Sequence, residues 1–144
     1  MPRDPRSSLP NYGFFHVYSR GVDRTAIARD DVDRLTWVKL LERATDRFEW
    51  TCYVYCLMPN HFHLVVESAL DRLSQGMHYL NGIYAARFNR RHERSGHLFQ
   101  GRFGLRVIEN ETYLERACVY VIANPVRAGL CGSTRDWPWS ASVF

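Results

Sequence analysis

The apolar positions of this chain fall into short alternating runs, separated by longer stretches with helical spacing. Residues 14–20 (FFHVYSR) are aromatic and β-branched and stop at Gly21, which predicts a strand. Residues 30–48 predict a helix that Asp30 or Asp31 can cap, with Leu35, Val38, Leu41 and Phe48 on one face. Residues 50–57 (WTCYVYCL) read as a second strand and residues 61–67 (HFHLVVE) as a third. Between them, Met58, Pro59 and Asn60 form a turn, because proline cannot donate to a ladder and asparagine tolerates tight backbone angles. The two strands should therefore form a hairpin. A second helix runs from about residue 71 to 91, with Leu73, Met77, Leu80, Tyr84 and Phe88 as its apolar stripe. Residues 90–103 make a basic loop, 104–109 a fourth strand, and 110–124 a third helix capped by Asn110 and stopped near Pro125. The aromatic end WPWSASVF should pack back on the domain.

The order β-α-β-β-α-β plus one helix predicts an α+β, ferredoxin-like fold. Its antiparallel sheet would have four strands, with helices on one face and the other face free for a ligand or the extra helix. Residues 1–12, with three prolines and three charges, read as a flexible tail, and 13–144 as a single domain. A chain of 144 residues can bury a core without disulfides or a structural metal. No apolar run is long enough to span a bilayer, and the N-terminus lacks the apolar core of a signal peptide. A cytoplasmic protein with Cys52, Cys56, Cys118 and Cys131 reduced is expected.

The net charge of +4 is modest, but Lys39 is the only lysine among 19 basic residues. Arginine binds phosphate with a planar fork and stacks on bases, so this composition points towards nucleic acid. A genome rich in G and C would produce the same bias.

Strand alternation places His61 and His63 on one face, with Val65 and Glu67, while Phe62, Leu64 and Val66 share the other. The two histidine β-carbons should lie about 7 Å apart, within reach of one metal ion. The pair alone fits a metal, or surface and half-buried histidines. Cys52 and Cys56 could complete a structural zinc site with them, although the spacing is loose. On the third helix, Tyr120 and Asn124 are four residues apart and share a face. A tyrosine is a weak nucleophile at its usual pKa of about 10. It becomes useful when a metal polarises the phosphate it attacks, and Asn124 could add an oxygen to the two imidazoles. Periodicity does not separate Tyr120 from Tyr113, which lies two turns earlier on nearly the same face. No GxxxxGK[ST] loop is present and no acidic cluster accompanies the histidines.

Five blocks in order, FHVYSRGVDR, YCLMPNHFHLVVE, LNGIYAARFNRRHERSGHLFQGRF, YLERACVYVIANPVRAGL and WPWSA, resemble the single-tyrosine HUH transposases of the insertion-sequence-200-like type. Within them the chain is most similar to the REP-associated tyrosine transposases. The resemblance implies that His61, His63 and Asn124 bind Mg2+ or Mn2+ and that Tyr120, not Tyr113, attacks a phosphate of single-stranded DNA. It implies a 5′-phosphotyrosine link, a freed 3′-hydroxyl and rejoining without ATP or any nucleotide cofactor. The substrate would be a DNA hairpin, a palindromic repeat, in the cytoplasmic nucleoid. Contacts are expected from Arg20, His97, Gln100 and Arg102, with Phe99 and Phe103 available to stack on unpaired bases. Imidazole suits manganese better than magnesium, so a weak, exchangeable site is expected. Relatives act as monomers or as homodimers. The alternative is a hairpin-binding module that no longer cleaves.

Overall fold

The computed structural model describes residues 8–143. Strands β1 (Tyr12–Arg20), β2 (Thr51–Leu57), β3 (His61–Ala69), β4 (Gly104–Ile108) and β5 (Ser140–Ser142) form one antiparallel sheet in the order β4-β1-β3-β2-β5. The first four strands have the expected ferredoxin-like order. The fifth adds to the expectation of four: residues of the aromatic C-terminal segment pair with β2, Ala141 opposite Tyr55. Trp137 secures this return by donating its indole N–H to the Leu57 carbonyl at 3.0 Å.

Helices α1 (Asp31–Arg47) and α2 (Leu70–Arg91) cover one face of the sheet. Asp30 caps α1 by accepting from the Asp33 N–H, and all five stripe residues of α2 are buried. The α1 face differs from expectation. Leu41 and Phe48 are buried as expected and Val38 is partly buried, but Leu35 is 49 % exposed, and Trp37, Leu40 and Ala44 are buried in addition. Trp37 and Leu35 compete for the inward phase, and the larger ring wins by packing 5.0 Å from Phe62. Phe15, Val17, Phe62, Leu64 and Val66 complete this core from the sheet.

Helix α3 (Glu111–Ile122), capped by Asn110, covers the other face with Leu114, Cys118 and Val121 against Val54, Cys56 and Val65. A short helical turn, α4 (Asn124–Arg127), follows, opened by the buried Pro125, which has no N–H to continue the α3 ladder. Of the expected tail, residues 1–7 lie outside the described residues. Leu9 packs against the core, the Asn11 carbonyl accepts from the Leu70 N–H, and Tyr12 already belongs to β1.

A β-bulge between Cys52 and Val54 reverses the side-chain parity of β2. Cys52 pairs with Val66 on the α1/α2 face, and Cys56 pairs with His63 on the α3 face. Four residues apart on a regular strand, the two thiols would share a face; the extra residue separates them. This corrects the zinc reading. Among the described residues no group of three or more His, Cys, Asp or Glu side chains is placed to hold a metal. All four cysteines are free, and burial raises the Cys52 and Cys56 thiols to about 12.

Candidate active site

The C-terminal end of β1 and the N-terminal end of β3 meet in register, Arg20 opposite His61 and Tyr18 opposite His63. His61 and His63 stand on the α3 face as alternation requires, with ring centroids 5.1 Å apart and planes nearly perpendicular. His61 Nδ1 lies 2.8 Å from Asn60 Oδ1, an acceptor, so Nδ1 carries the proton and Nε2 keeps its lone pair. Burial lowers the pKa of His61, helped by the charge of Arg20. Burial also lowers His63, to about 2, helped by repulsion from His16 and His61 once they are protonated and by the charges of Arg20 and Arg127. Both imidazoles are therefore neutral at pH 7, the state a metal ligand needs.

Across from the histidines, the end of α3 brings Tyr120 to the same groove, and α4 brings Asn124. The groove holds about 650 Å³ and is also lined by Tyr18, Arg20, Asn60 and Gln100. Tyr120 is half exposed there. Tyr113 does not line this groove; it borders a neighbouring depression with His16, Arg106 and Arg116, which Tyr120 shares but His61 and His63 do not line. Two turns of helix thus separate two tyrosines that periodicity could not.

The remaining candidates are distributed along this edge. Arg20 and Gln100 line the groove, held together by the Gln100 N–H donating to the Arg20 carbonyl at 2.8 Å. Arg102 borders an adjoining depression that shares Tyr18, Arg20 and Gln100. His97 lies farther out, in a groove along α2 that Arg102 also borders. Phe99 cannot stack on a base: it is buried against Phe62 and Tyr84, and its backbone bridges Gly21. Phe103 does border the outer grooves. Glu67 shares the histidine face but sits at the far end of β3, where it accepts from the hydroxyls of Tyr12 and Tyr53 at 2.7 and 2.8 Å.

Periodicity does not single out three residues that the fold brings here. His16, buried on β1, has Nε2 2.9 Å from His63 Nδ1. In the tautomer that leaves His63 Nε2 with its lone pair, Nδ1 donates to His16. The signal is visible only with a register, since His16 shares a face with Tyr18, whose partner is His63. Tyr18 is buried, its ring flush against Gly104, where a β-carbon would meet it at 2.0 Å. Arg127, three residues beyond Asn124, bonds the Asn124 Oδ1 at 2.7 Å and lies over the Tyr120 ring.

A sequence model described as "Transposase IS200 like" matches residues 14–124, from β1 through Asn124. The chain belongs to the IS200-like transposase family. One curated relative is a putative REP-associated tyrosine transposase of Haemophilus influenzae, 22 % identical over 111 residues. That match covers 69 % of the IS200-like chain described here and 63 % of the relative's length. A solved REP-associated tyrosine transposase bound to a REP hairpin superposes with a TM-score of 0.74 at 17 % identity, over 97 % of this chain and 82 % of the other. A putative transposase from Deinococcus radiodurans R1 superposes with a TM-score of 0.56 at 14 % identity, over 90 % and 98 %. These superpositions establish a common fold. Among the described residues no helix is long and apolar enough to cross a membrane.

Proposed function

We propose that this IS200-like chain is a divalent-metal-dependent single-stranded DNA endonuclease and strand transferase that acts at DNA hairpins through Tyr120. The observation that carries this reading is convergence. Tyr120, Asn124, His61, His63 and Arg20 come from three separate segments and line one groove. The hairpin as substrate is supported by the solved relative, which is described as bound to one.

The residues present fit Mg2+ or Mn2+. Two neutral imidazoles and one carboxamide oxygen form a mixed nitrogen and oxygen set, and the open groove leaves room for phosphate oxygens. His61 and His63 would hold the ion through ring nitrogen, and Asn124 through Oδ1. When bound, it would supply Lewis-acid withdrawal of charge from the scissile phosphate. Arg20 adds a fixed positive charge at the groove wall, matched to the DNA backbone. Tyr120 Oη forms the new bond to phosphorus and gives up its proton to solvent. The bond from phosphorus to the 3′ oxygen breaks, and that oxygen takes a proton to become a 3′-hydroxyl. The 5′ end stays on Tyr120 as a phosphodiester, which conserves the bond for rejoining by the reverse attack. No nucleotide triphosphate enters the balance.

The test is a labelled hairpin oligonucleotide with a single-stranded flank, incubated with Mn2+ or Mg2+. A covalent protein–DNA adduct should form, vanish in Tyr120→Phe and persist in Tyr113→Phe. An adduct that survives in Tyr120→Phe and vanishes in Tyr113→Phe would reject Tyr120 as nucleophile. Tight hairpin binding with no adduct under any divalent cation would instead identify a binding module.

A further inference from the structure

Arg127 connects the two groups of the site that come from outside the sheet. Its Nη2 donates to the Tyr120 carbonyl at 2.8 Å and to Asn124 Oδ1 at 2.7 Å. Its guanidinium carbon lies 4.0 Å from the centroid of the Tyr120 ring, a close cation–π contact. The residue itself is exposed, so burial does not force this geometry.

The consequence falls on Asn124. A carboxamide has one oxygen to offer a cation, and here that oxygen is bonded to a guanidinium. The other end, Nδ2, is buried with no hydrogen-bond partner. An amide nitrogen carries no lone pair for a metal ion. A divalent cation on the same oxygen would sit against the positive charge of Arg127, and the two repel. The third donor is in place but already occupied.

We propose that Arg127 is a positioning residue that holds the Asn124 oxygen in the DNA-free protein and yields it to the cation when a DNA phosphate draws the guanidinium away. This rests on the metal site proposed above. A guanidinium bonds a phosphate through two parallel N–H groups with charge assistance, a better bargain than one neutral amide oxygen. Because Arg127 lies on the Tyr120 ring, the phosphate that Tyr120 attacks comes within its reach. DNA and cation binding are then coupled, and the coupling is reciprocal.

The experiment is Mn2+ titration followed by paramagnetic resonance of the free ion, with all proteins in a Tyr120→Phe background so that no cleavage intervenes. Without DNA, Arg127→Gln should bind Mn2+ about fivefold or more tightly than its parent. Adding hairpin DNA should tighten Mn2+ binding by the parent and do so much less for Arg127→Gln. If Arg127→Gln fails to fold, Arg127→Lys serves, because an ammonium cannot lie flat on the Tyr120 ring while one nitrogen donates to both oxygens as Nη2 does. Equal or weaker Mn2+ binding by the variant, or an undiminished gain from DNA, would overturn the proposal. His61→Ala is the reference: if no protein shows Mn2+ binding that depends on His61, with or without DNA, the metal site itself falls and takes this role of Arg127 with it.

Discussion

His16 Nε2 lies 2.9 Å from His63 Nδ1, between neighbouring strands and with His16 buried. One proton bridges the contact, so the partner decides which nitrogen of His63 would be left for the proposed ion. His16→Phe keeps the size of a ring and removes the acceptor. Mn2+ affinity should fall by about 10- to 100-fold, the usual cost of losing such an outer partner. Titration of the DNA-free protein checks this, with circular dichroism to show that the fold persists. Unchanged affinity would mean that His16 only fills space.

The same pair sets an acid limit on stability. Burial, with the charge of Arg106, lowers His16 from 6.5 to about 4, and burial lowers His63 further. Between pH 6.5 and 4 the unfolded chain takes up protons that the folded chain refuses. The stabilisation is therefore complete above pH 6.5 and is lost as the pH falls towards 4. For His16 alone the loss is roughly 3 kcal/mol by pH 4. Urea unfolding at pH 7.5 and 4.5 measures it, and His16→Phe should shrink the difference without abolishing it, because burial still lowers His63.

Two glycines should respond in opposite directions. A β-carbon on Gly21 would meet the Thr25 carbonyl oxygen at 2.1 Å, and backbone cannot swing aside. Gly21→Ala should cost about 1–3 kcal/mol and disturb the loop that carries Arg20 and the Phe99 bridge. Gly82 sits on α2 with nothing within 4 Å of its would-be β-carbon. Gly82→Ala should raise stability by about 0.5–1 kcal/mol. Denaturant midpoints of the two variants check both signs.

Asp33 ties the start of α1 to the end of α2. Its buried carboxylate accepts from the Arg29 N–H at 2.9 Å, Arg91 at 2.7 Å and His92 at 2.8 Å. Asp33→Ala leaves His92 without its anion and should cost about 3–5 kcal/mol. None of Arg29, Asp33, Arg91 and His92 lines the histidine groove, so hairpin affinity below the melting transition should stay close to wild type. Urea unfolding and a binding isotherm separate the two effects.

The parts legible in the sequence are those governed by local backbone geometry. The α2 stripe from Leu73 to Phe88 is buried throughout because a helix repeats every 3.6 residues whatever surrounds it. His61 and His63 share a face because a strand alternates. On α1 the same logic went astray at Leu35, since local spacing offered two apolar phases and only contact with Phe62 selected Trp37. Spacing alone allows Cys52 and Cys56 to be partners, because nothing in the residues announces a bulge.

What the sequence by itself determined was the order of the first four strands and three main helices, the cap at Asn110, the histidine face and the family to which the chain belongs. Tertiary structure separated Tyr120 from Tyr113 where periodicity could not, and it alone decided that His16 reaches His63 across 47 residues of chain and that Arg127 engages Asn124. The reason is physical. Periodicity follows from φ and ψ of each residue in turn, whereas register and the approach of distant segments follow from packing, which no single segment contains.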